Sequence, residues 1–268
     1  MEEKKTKKIN IMITCIALIL IIAILSYLCI GYYKKKTLNI NNPIVTMEVE
    51  NFGTIKIELY PDKAPNTVVN FVKLANNGFY NGLKFHRVVK EFMIQGGSSS
   101  GDTTGNAKLG NLNGNDDETE YCIKGEFAAN KFEQNDLNLT EGVIAMARGD
   151  YTQYSPTLTE ESYNSAGTQF FIMTSNDYTS LSGYYAGFGK VIEGMDVVKK
   201  IAEVEVKASS DSEDSNSSEK SIPVQDVIIS NVSVDTFGVD YGMPETVEPF
   251  DATTWLYKNY GYFNQLTQ

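Results

Sequence analysis

The 268 residues of this chain predict a mainly β fold with two packing helices, preceded by one membrane-spanning helix. Three observations carry that expectation. From Ile44 the apolar residues alternate with polar ones, the period of a strand buried on one face. Two later stretches repeat apolar residues every three to four positions, as a helix lying on a sheet does. And an almost unbroken apolar run stands near the start of the chain.

That run, Ile9 to Ile30, has only Asn10, Thr14, Ser26 and Tyr27 as mild exceptions. Its 22 residues, at about 1.5 Å rise each, reach roughly the 30 Å of a hydrocarbon core. Lysines flank both ends, and Tyr27, Tyr32 and Tyr33 stand where interfacial aromatics belong. A cleaved signal peptide would show a shorter apolar core and small residues at the cut. A lipoprotein signal would place small residues before its cysteine, where Tyr27 and Leu28 precede Cys29. An uncleaved anchor over residues 1–36, followed by a tether over 37–43, fits best. Four lysines before the run and three after it lean to an N-inside orientation, which would put the soluble part outside the cytoplasm.

Val45, Met47 and Val49, then Ile55, Ile57 and Leu59, alternate with polar residues around Asn51-Phe52-Gly53, predicting an antiparallel hairpin. Pro61 to Pro65 opens a helix, because proline is tolerated in the first turn. Val68, Phe71, Val72 and Ala75 give it one apolar stripe, and Asn76-Asn77-Gly78 end it. Ser98 to Glu120 reads as a polar loop; its acidic part lacks the spacing of an EF-hand, so no metal is expected there. Glu193 to Glu203 predicts a second helix, Ala208 to Lys220 a Ser-Asp-Glu-rich mobile loop, and Val224 to Val234 a strand.

Composition excludes several functions. The formal net charge is −11, and it is unevenly spread. Seven of the 23 basic residues and two of the 34 acidic ones precede Thr37, leaving 16 against 32 in the soluble part. An acidic body argues against nucleic acid as a partner. Three cysteines build no disulfide framework, and Cys122 alone lies in the soluble part. His86 is the only histidine, which removes serine-hydrolase triads and histidine-rich metal sites from consideration. Neither metal nor cofactor is expected.

The chemistry concentrates in Phe85-His86-Arg87-Val88-Val89-Lys90-Glu91-Phe92-Met93-Ile94-Gln95-Gly96-Gly97. Val88-Val89 and Phe92-Met93-Ile94 suggest two strands, and the glycine pair marks a strand end or a close backbone approach. A cation, Arg87, and an amide, Gln95, stand beside apolar residues, a combination that can hold a proline ring and polarise its amide. A plain strand pair with a snorkelling arginine is an equal reading of the pattern alone.

The stretch resembles the signature of the cyclophilin family of peptidyl-prolyl isomerases, F-H-R-V…F-M-x-Q-G-G, with every letter at the family spacing. Gly167-Thr168-Gln169-Phe170-Phe171-Ile172 and Leu181-Ser182-Gly183-Tyr184-Tyr185-Ala186-Gly187-Phe188-Gly189-Lys190-Val191 are similar to two further family elements, and Ala64-Pro65 through Tyr80 to another. The resemblance covers roughly residues 44–234. It implies a closed eight-stranded antiparallel barrel with a helix over each open end, as a domain over 44–235. The remaining 236–268, with Trp255, Tyr257, Tyr260, Tyr262 and Phe263, receive no role.

What the resemblance implies about chemistry is rotation about X-Pro bonds. Amide resonance opposes that rotation by about 18–20 kcal/mol, and no covalent attack is needed. As the amide twists, the prolyl nitrogen regains a lone pair, so a donor aimed at it favours the transition state over either ground state. By resemblance Arg87 is that donor, with Phe92 and Gln95 as catalytic partners. Phe92, Met93, Phe171 and Leu181 would hold the pyrrolidine ring. The backbone of Ala147 and Arg148, with Gln169, would grip the residues before the proline, Tyr185 would line the groove, and His86 would have a structural or groove-lining role rather than one in proton transfer. Ser180, standing where many members have tryptophan, implies weak cyclosporin affinity. Gly149 to Ala166, with Tyr151, Tyr154 and Tyr163, is longer than expected and reads as an inserted surface loop beside the groove, contact with the substrate being the alternative. Expected partners are proline-containing polypeptides, among them exported or cell-surface proteins, met by a monomeric soluble domain. A proline-peptide-binding module using the same groove without turnover is the competing reading.

Overall fold

A computed structural model of the chain describes residues 16, 18–27, 41–105, 107–208 and 220–261. It divides into two units, Met1–Asn41 and Asn42–Gln268. In the first, residues 18–27 are helical and their side chains exposed. The rest of the apolar run, apart from residue 16, lies outside the described residues, as do Cys15 and Cys29. Among the described residues no helix is long and apolar enough to cross a membrane.

The second unit is built on an eight-stranded, wholly antiparallel sheet. Its strands are β1 (Ile44–Val49), β2 (Gly53–Leu59), β3 (Arg87–Val89), β4 (Met93–Gly96), β7 (Val143–Met146), β8 (Phe170–Met173), β9 (Gly187–Glu193) and β12 (Ile229–Asp235). They are ordered β12-β1-β2-β9-β7-β8-β4-β3. Two small ribbons, β5 (Ala107–Lys108) with β6 (Glu120–Tyr121) and β10 (Val206–Ala208) with β11 (Lys220–Pro223), lie apart from it. The residues between β10 and β11, 209–219, where the mobile loop was expected, lie outside the description.

The expected hairpin forms β1 and β2, with Val45 opposite Ile57 and Met47 opposite Ile55, all four fully buried. Asn51 and Gly53 turn it at φ 63° and 123°. The first helix, α1 (Pro65–Asn76), starts on its proline and buries Val68, Phe71, Val72, Leu74 and Ala75. Phe71 anchors it against Tyr80, Phe188 and Phe170, with ring centroids at 4.9, 5.3 and 5.8 Å. Burying one such side chain contributes about 1.5–3 kcal/mol. Three further helices follow: α2 (Leu109–Asn113), α3 (Thr159–Tyr163) and α4 (Met195–Ala202), which buries Val197, Val198, Ile201 and Ala202.

The barrel is not closed by a continuous ladder, which corrects the expectation. β3 and β12 end the strand order without pairing. The seam between them falls just before β3 and at the start of β12, where Gly82 N–H donates to Ile229 O (2.8 Å), Ile229 N–H to Leu83 O (2.7 Å) and Phe85 N–H to Val227 O (3.0 Å). A three-residue β3 is too short to add rungs of its own beyond these.

The region 236–268, left without a role by the sequence, belongs to the second unit. Val247 forms an isolated antiparallel bridge with Cys122, each N–H donating to the other's carbonyl at 2.9 and 2.8 Å. A fifth helix, α5 (Ala252–Tyr260), follows, with the Asp251 carboxylate capping it through Thr254 N–H.

Candidate active site

Arg87 and Gln95 face each other across the β3–β4 pair, so two neighbouring strands deliver the cation and the amide to one place. The Arg87 guanidinium lies 3.8 Å from Met93 Sδ and 6.0 Å from the Phe92 ring centroid. Phe92 sits at the β3–β4 turn, which Glu91 makes tight with φ 57°. Beside it lies a second apolar cluster, separate from the main core. Met93, Phe171, Leu139, Val143, Ala145 and Met173 form its buried part, and Phe92, Leu181, Tyr185 and Ala147 pack against it partly exposed. The residues expected to hold a pyrrolidine ring are thus gathered in one patch contributed by β4, β7, β8 and the 179–186 turn.

On the other side of Arg87 and Gln95 opens a groove of about 730 Å³. Ala147, Arg148 and Gln169 line it, as do Thr103, Thr104 and Gly105. Its floor is tied down from behind. Asn70 of α1 donates to Gly167 O at 2.8 Å, the Tyr80 hydroxyl to Thr168 O at 3.1 Å, and the Tyr121 hydroxyl to Asn70 Oδ1 at 2.8 Å. Gly97 permits this approach: a Cβ there would stand 2.5 Å from Thr168 O, and its φ of +86° also favours glycine. Gln95 Nε2 donates to Gln169 Oε1 at 3.0 Å, and Gln169 Nε2 donates in turn to Thr103 O and Gly105 O at 3.1 and 3.2 Å. This chain of amides orients both glutamines before any ligand arrives.

One expected residue, His86, stands apart from the groove, and two others are tied to their neighbours. His86 is 4% exposed and does not line the groove. Neither ring nitrogen makes a well-aligned hydrogen bond, and the Gln169 side chain gives only a weak polar contact. Burial, opposed by Asp102 and by a weak polar contact from the Gln169 side chain and aided by Arg87 and Lys84, holds its pKa down to about 4, so the ring is neutral at pH 7. The Ala147 N–H is already engaged by Gln169 O at 2.9 Å, leaving its carbonyl side for a ligand. Arg148 lines the groove but is held by its neighbours: Nε donates to Tyr184 O (3.1 Å), Nη1 to Gly149 O (3.2 Å), and the guanidinium stands 4.6, 5.0 and 5.8 Å from the rings of Tyr185, Tyr163 and Phe127. Tyr185 meets Phe171 edge-on at 5.5 Å.

Sequence reasoning did not assign Thr103, Thr104 or Pro249 to the groove and favoured a plain loop for the insertion carrying Tyr151 and Tyr154, yet all five residues line it. The insertion is ordered by its own bonds, with Tyr151 N–H donating to Ser162 Oγ and Gly149 N–H to Ser165 Oγ, both at 2.8 Å. Its excess length beside the groove was the available signal. For Pro249 there was none. Among the described residues no cluster of three or more His, Cys, Asp or Glu is placed to hold a metal. Cys122, beneath the groove, is 8% exposed, and burial pushes its thiol up to about 11.

Residues 44–234 match the model of the cyclophilin type peptidyl-prolyl cis-trans isomerase/CLD family. The chain belongs to that family. This cyclophilin is 37% identical over 191 residues to peptidyl-prolyl cis-trans isomerase B of Escherichia coli (strain K12), covering 69% of this chain and 95% of that one. It is 40% identical over 167 residues to a peptidyl-prolyl cis-trans isomerase of Acinetobacter baylyi, covering 61% and 73%. Among solved structures, a Cryptosporidium parvum cyclophilin type peptidyl-prolyl cis-trans isomerase, crystallised in the presence of the dipeptide Ala-Pro, superposes with a TM-score of 0.54. That likeness spans 72% of this chain and 98% of the other at 23% identity, and bears on the fold. With these relatives, the cyclophilin here is a peptidyl-prolyl cis-trans isomerase.

Proposed function

We propose that Arg87 is the group that lowers the rotational barrier, and that the chain does so as a membrane-tethered isomerase facing exported polypeptides. The observation that carries the first part is the guanidinium's position against Met93 and Phe92, at the border between the apolar patch and the polar groove. A proline ring on Phe92, Met93, Phe171 and Leu181 would bring its nitrogen toward this cation. Because the patch excludes water on one side, the developing lone pair meets a fixed donor in a medium less polarisable than solvent. Gln95 and Gln169, already aligned with each other, would hold the carbonyls flanking the bond, and the Ala147 carbonyl and Arg148 backbone would take the residues before it. Tyr185 backs Phe171, while His86 supports β3 from inside as a neutral ring.

One charge-assisted hydrogen bond is worth about 1.5–3 kcal/mol, or about one to two decades of rate. Arg87→Ala is expected to lower kcat/KM by about 10–100-fold in a protease-coupled peptide assay, with an unchanged thermal midpoint. Near-normal turnover in that variant overturns the assignment.

The tether rests on the 22-residue apolar run and its flanking lysines. Protease added to intact cells should digest the domain over residues 44–235 if it faces outward, and spare it if it faces the cytoplasm. Recovery of the full-length chain in the soluble fraction after lysis, without detergent, would remove the anchor from the proposal.

A further inference from the structure

The groove is more spacious than one proline residue requires. Its volume of about 730 Å³ falls in the upper part of the range that encloses a drug-sized ligand, so it has room for several peptide residues. Ala147, Arg148 and Gln169, which would take the residues before the proline, account for only part of its lining. Asp150, Tyr151, Gln153 and Tyr154 of the insertion also line it, as does Pro249 of the C-terminal extension, which lies past the residues matched by the family model.

The extension is fastened rather than draped. Besides the Val247–Cys122 bridge, Asn66 Nδ2 donates to Glu245 O at 2.9 Å and Glu245 N–H donates to Asn66 Oδ1 at 2.7 Å. Phe250 then packs its ring on Tyr151 at 5.0 Å and on Trp255 at 6.4 Å. The tail therefore braces the insertion from outside, and Tyr151 is held between Phe250 and the groove. Tyrosine offers a flat apolar face at small conformational cost, and two tyrosines beside a proline make a surface suited to an apolar or aromatic side chain. Asp150, also in the lining, is kept ionised chiefly by the Thr152 hydroxyl and N–H with Arg148 nearby, so this paired wall adds no net attraction for an acidic one.

We infer that the insertion and the C-terminal extension together form an added subsite, which takes an apolar or aromatic side chain of the substrate several residues before the proline. The inference rests on the groove being the isomerase site and adds to it a preference for longer peptides.

The test uses the full-length protein, a short proline tetrapeptide, and the same peptide extended by three residues carrying either Phe or Glu at its N-terminus. The Phe-extended peptide is expected to show about tenfold higher kcat/KM than the short one, the gain residing in KM, and the Glu-extended peptide little gain. Tyr151→Ala and Phe250→Ala should bring the long-to-short ratio toward one, whereas Tyr151→Phe should preserve it. Anisotropy of the labelled peptides gives the same ratio from binding alone. A ratio near one in the wild type, or one unmoved by both alanine variants, overturns the subsite and leaves the Arg87 assignment standing. Preserved selective binding without turnover sinks the catalytic assignment and keeps the subsite.

Discussion

Replacing His86 with phenylalanine isolates one buried group whose titration the structure makes expensive. The ring is 4% exposed, its nitrogens make no well-aligned hydrogen bond, and its pKa stands at about 4 against 6.5 for a free histidine. Between those two values the unfolded chain binds a proton that the native protein does not, so stability rises with pH through this window and falls on acidification. At 1.36 kcal/mol per pH unit the full difference is about 3 kcal/mol, of which about 2 kcal/mol is lost between pH 7 and pH 5. Urea unfolding of wild type and His86→Phe at both pH values measures it. Other groups that titrate here, Glu126 among them, are common to both proteins and cancel in the difference. The variant should lose about 2 kcal/mol less than the wild type on acidification. Equal losses in the two proteins would refute the reasoning, since the ring would then be protonated as easily inside as outside.

Three other substitutions test how the site is held. The Glu126 carboxylate accepts from Asn66 N–H (3.0 Å), Thr67 N–H (2.7 Å) and the Thr67 hydroxyl (2.7 Å), capping α1 from outside because Ala64 has no side chain able to do so. Glu126→Ala should cost about 2–3 kcal/mol in denaturant unfolding, the sum expected of a lost cap and orphaned buried donors. Gly97→Ala drives a Cβ to 2.5 Å from Thr168 O and should cost about 2 kcal/mol or more; because Thr168 adjoins Gln169, kcat/KM should fall with it. Arg148→Lys keeps the charge but loses the planar stack on Tyr185 and Tyr163, for about 1–2 kcal/mol. Faster amide hydrogen exchange across residues 149–166 is the expected signature, and unchanged exchange would show that the stack does not hold the insertion.

Much of the core was legible because period alone specifies it. The alternation at Val45–Met47–Val49 and the stripe at Val68–Phe71–Val72–Ala75 each left one way to bury the apolar residues, and the structure buries them so. The gathering of one apolar cluster was legible through resemblance: Phe92-Met93, Phe171 and Leu181 are far apart in the chain, and nothing in their local pattern brings them together. The seam was not legible. Whether a sheet closes depends on a few hydrogen bonds at residues 82–85 and 227–229, positions with no distinctive composition. The insertion read as a plain loop, yet it folds into two short 3₁₀ turns, Tyr151–Gln153 and Pro156–Leu158, followed by α3, with Asp150 and Ser155 as local caps. Such caps are weak signals in a sequence full of Ser and Asp.

The tail shows why a family signature can be intact while the ligand preference lies elsewhere. Arg87, Gln95 and Gln169 are fixed by strand register and by an amide chain whose members all belong to the family core. The groove they open into has a second wall, and that wall depends on a contact between Tyr151 and Phe250, 99 positions apart and unrelated to the signature. A core that only twists a bond needs to recognise little more than a proline and its two flanking carbonyls. Choice among proline-containing chains must then come from surface beyond the core, and here the available surface is supplied by the two segments that the family pattern does not specify.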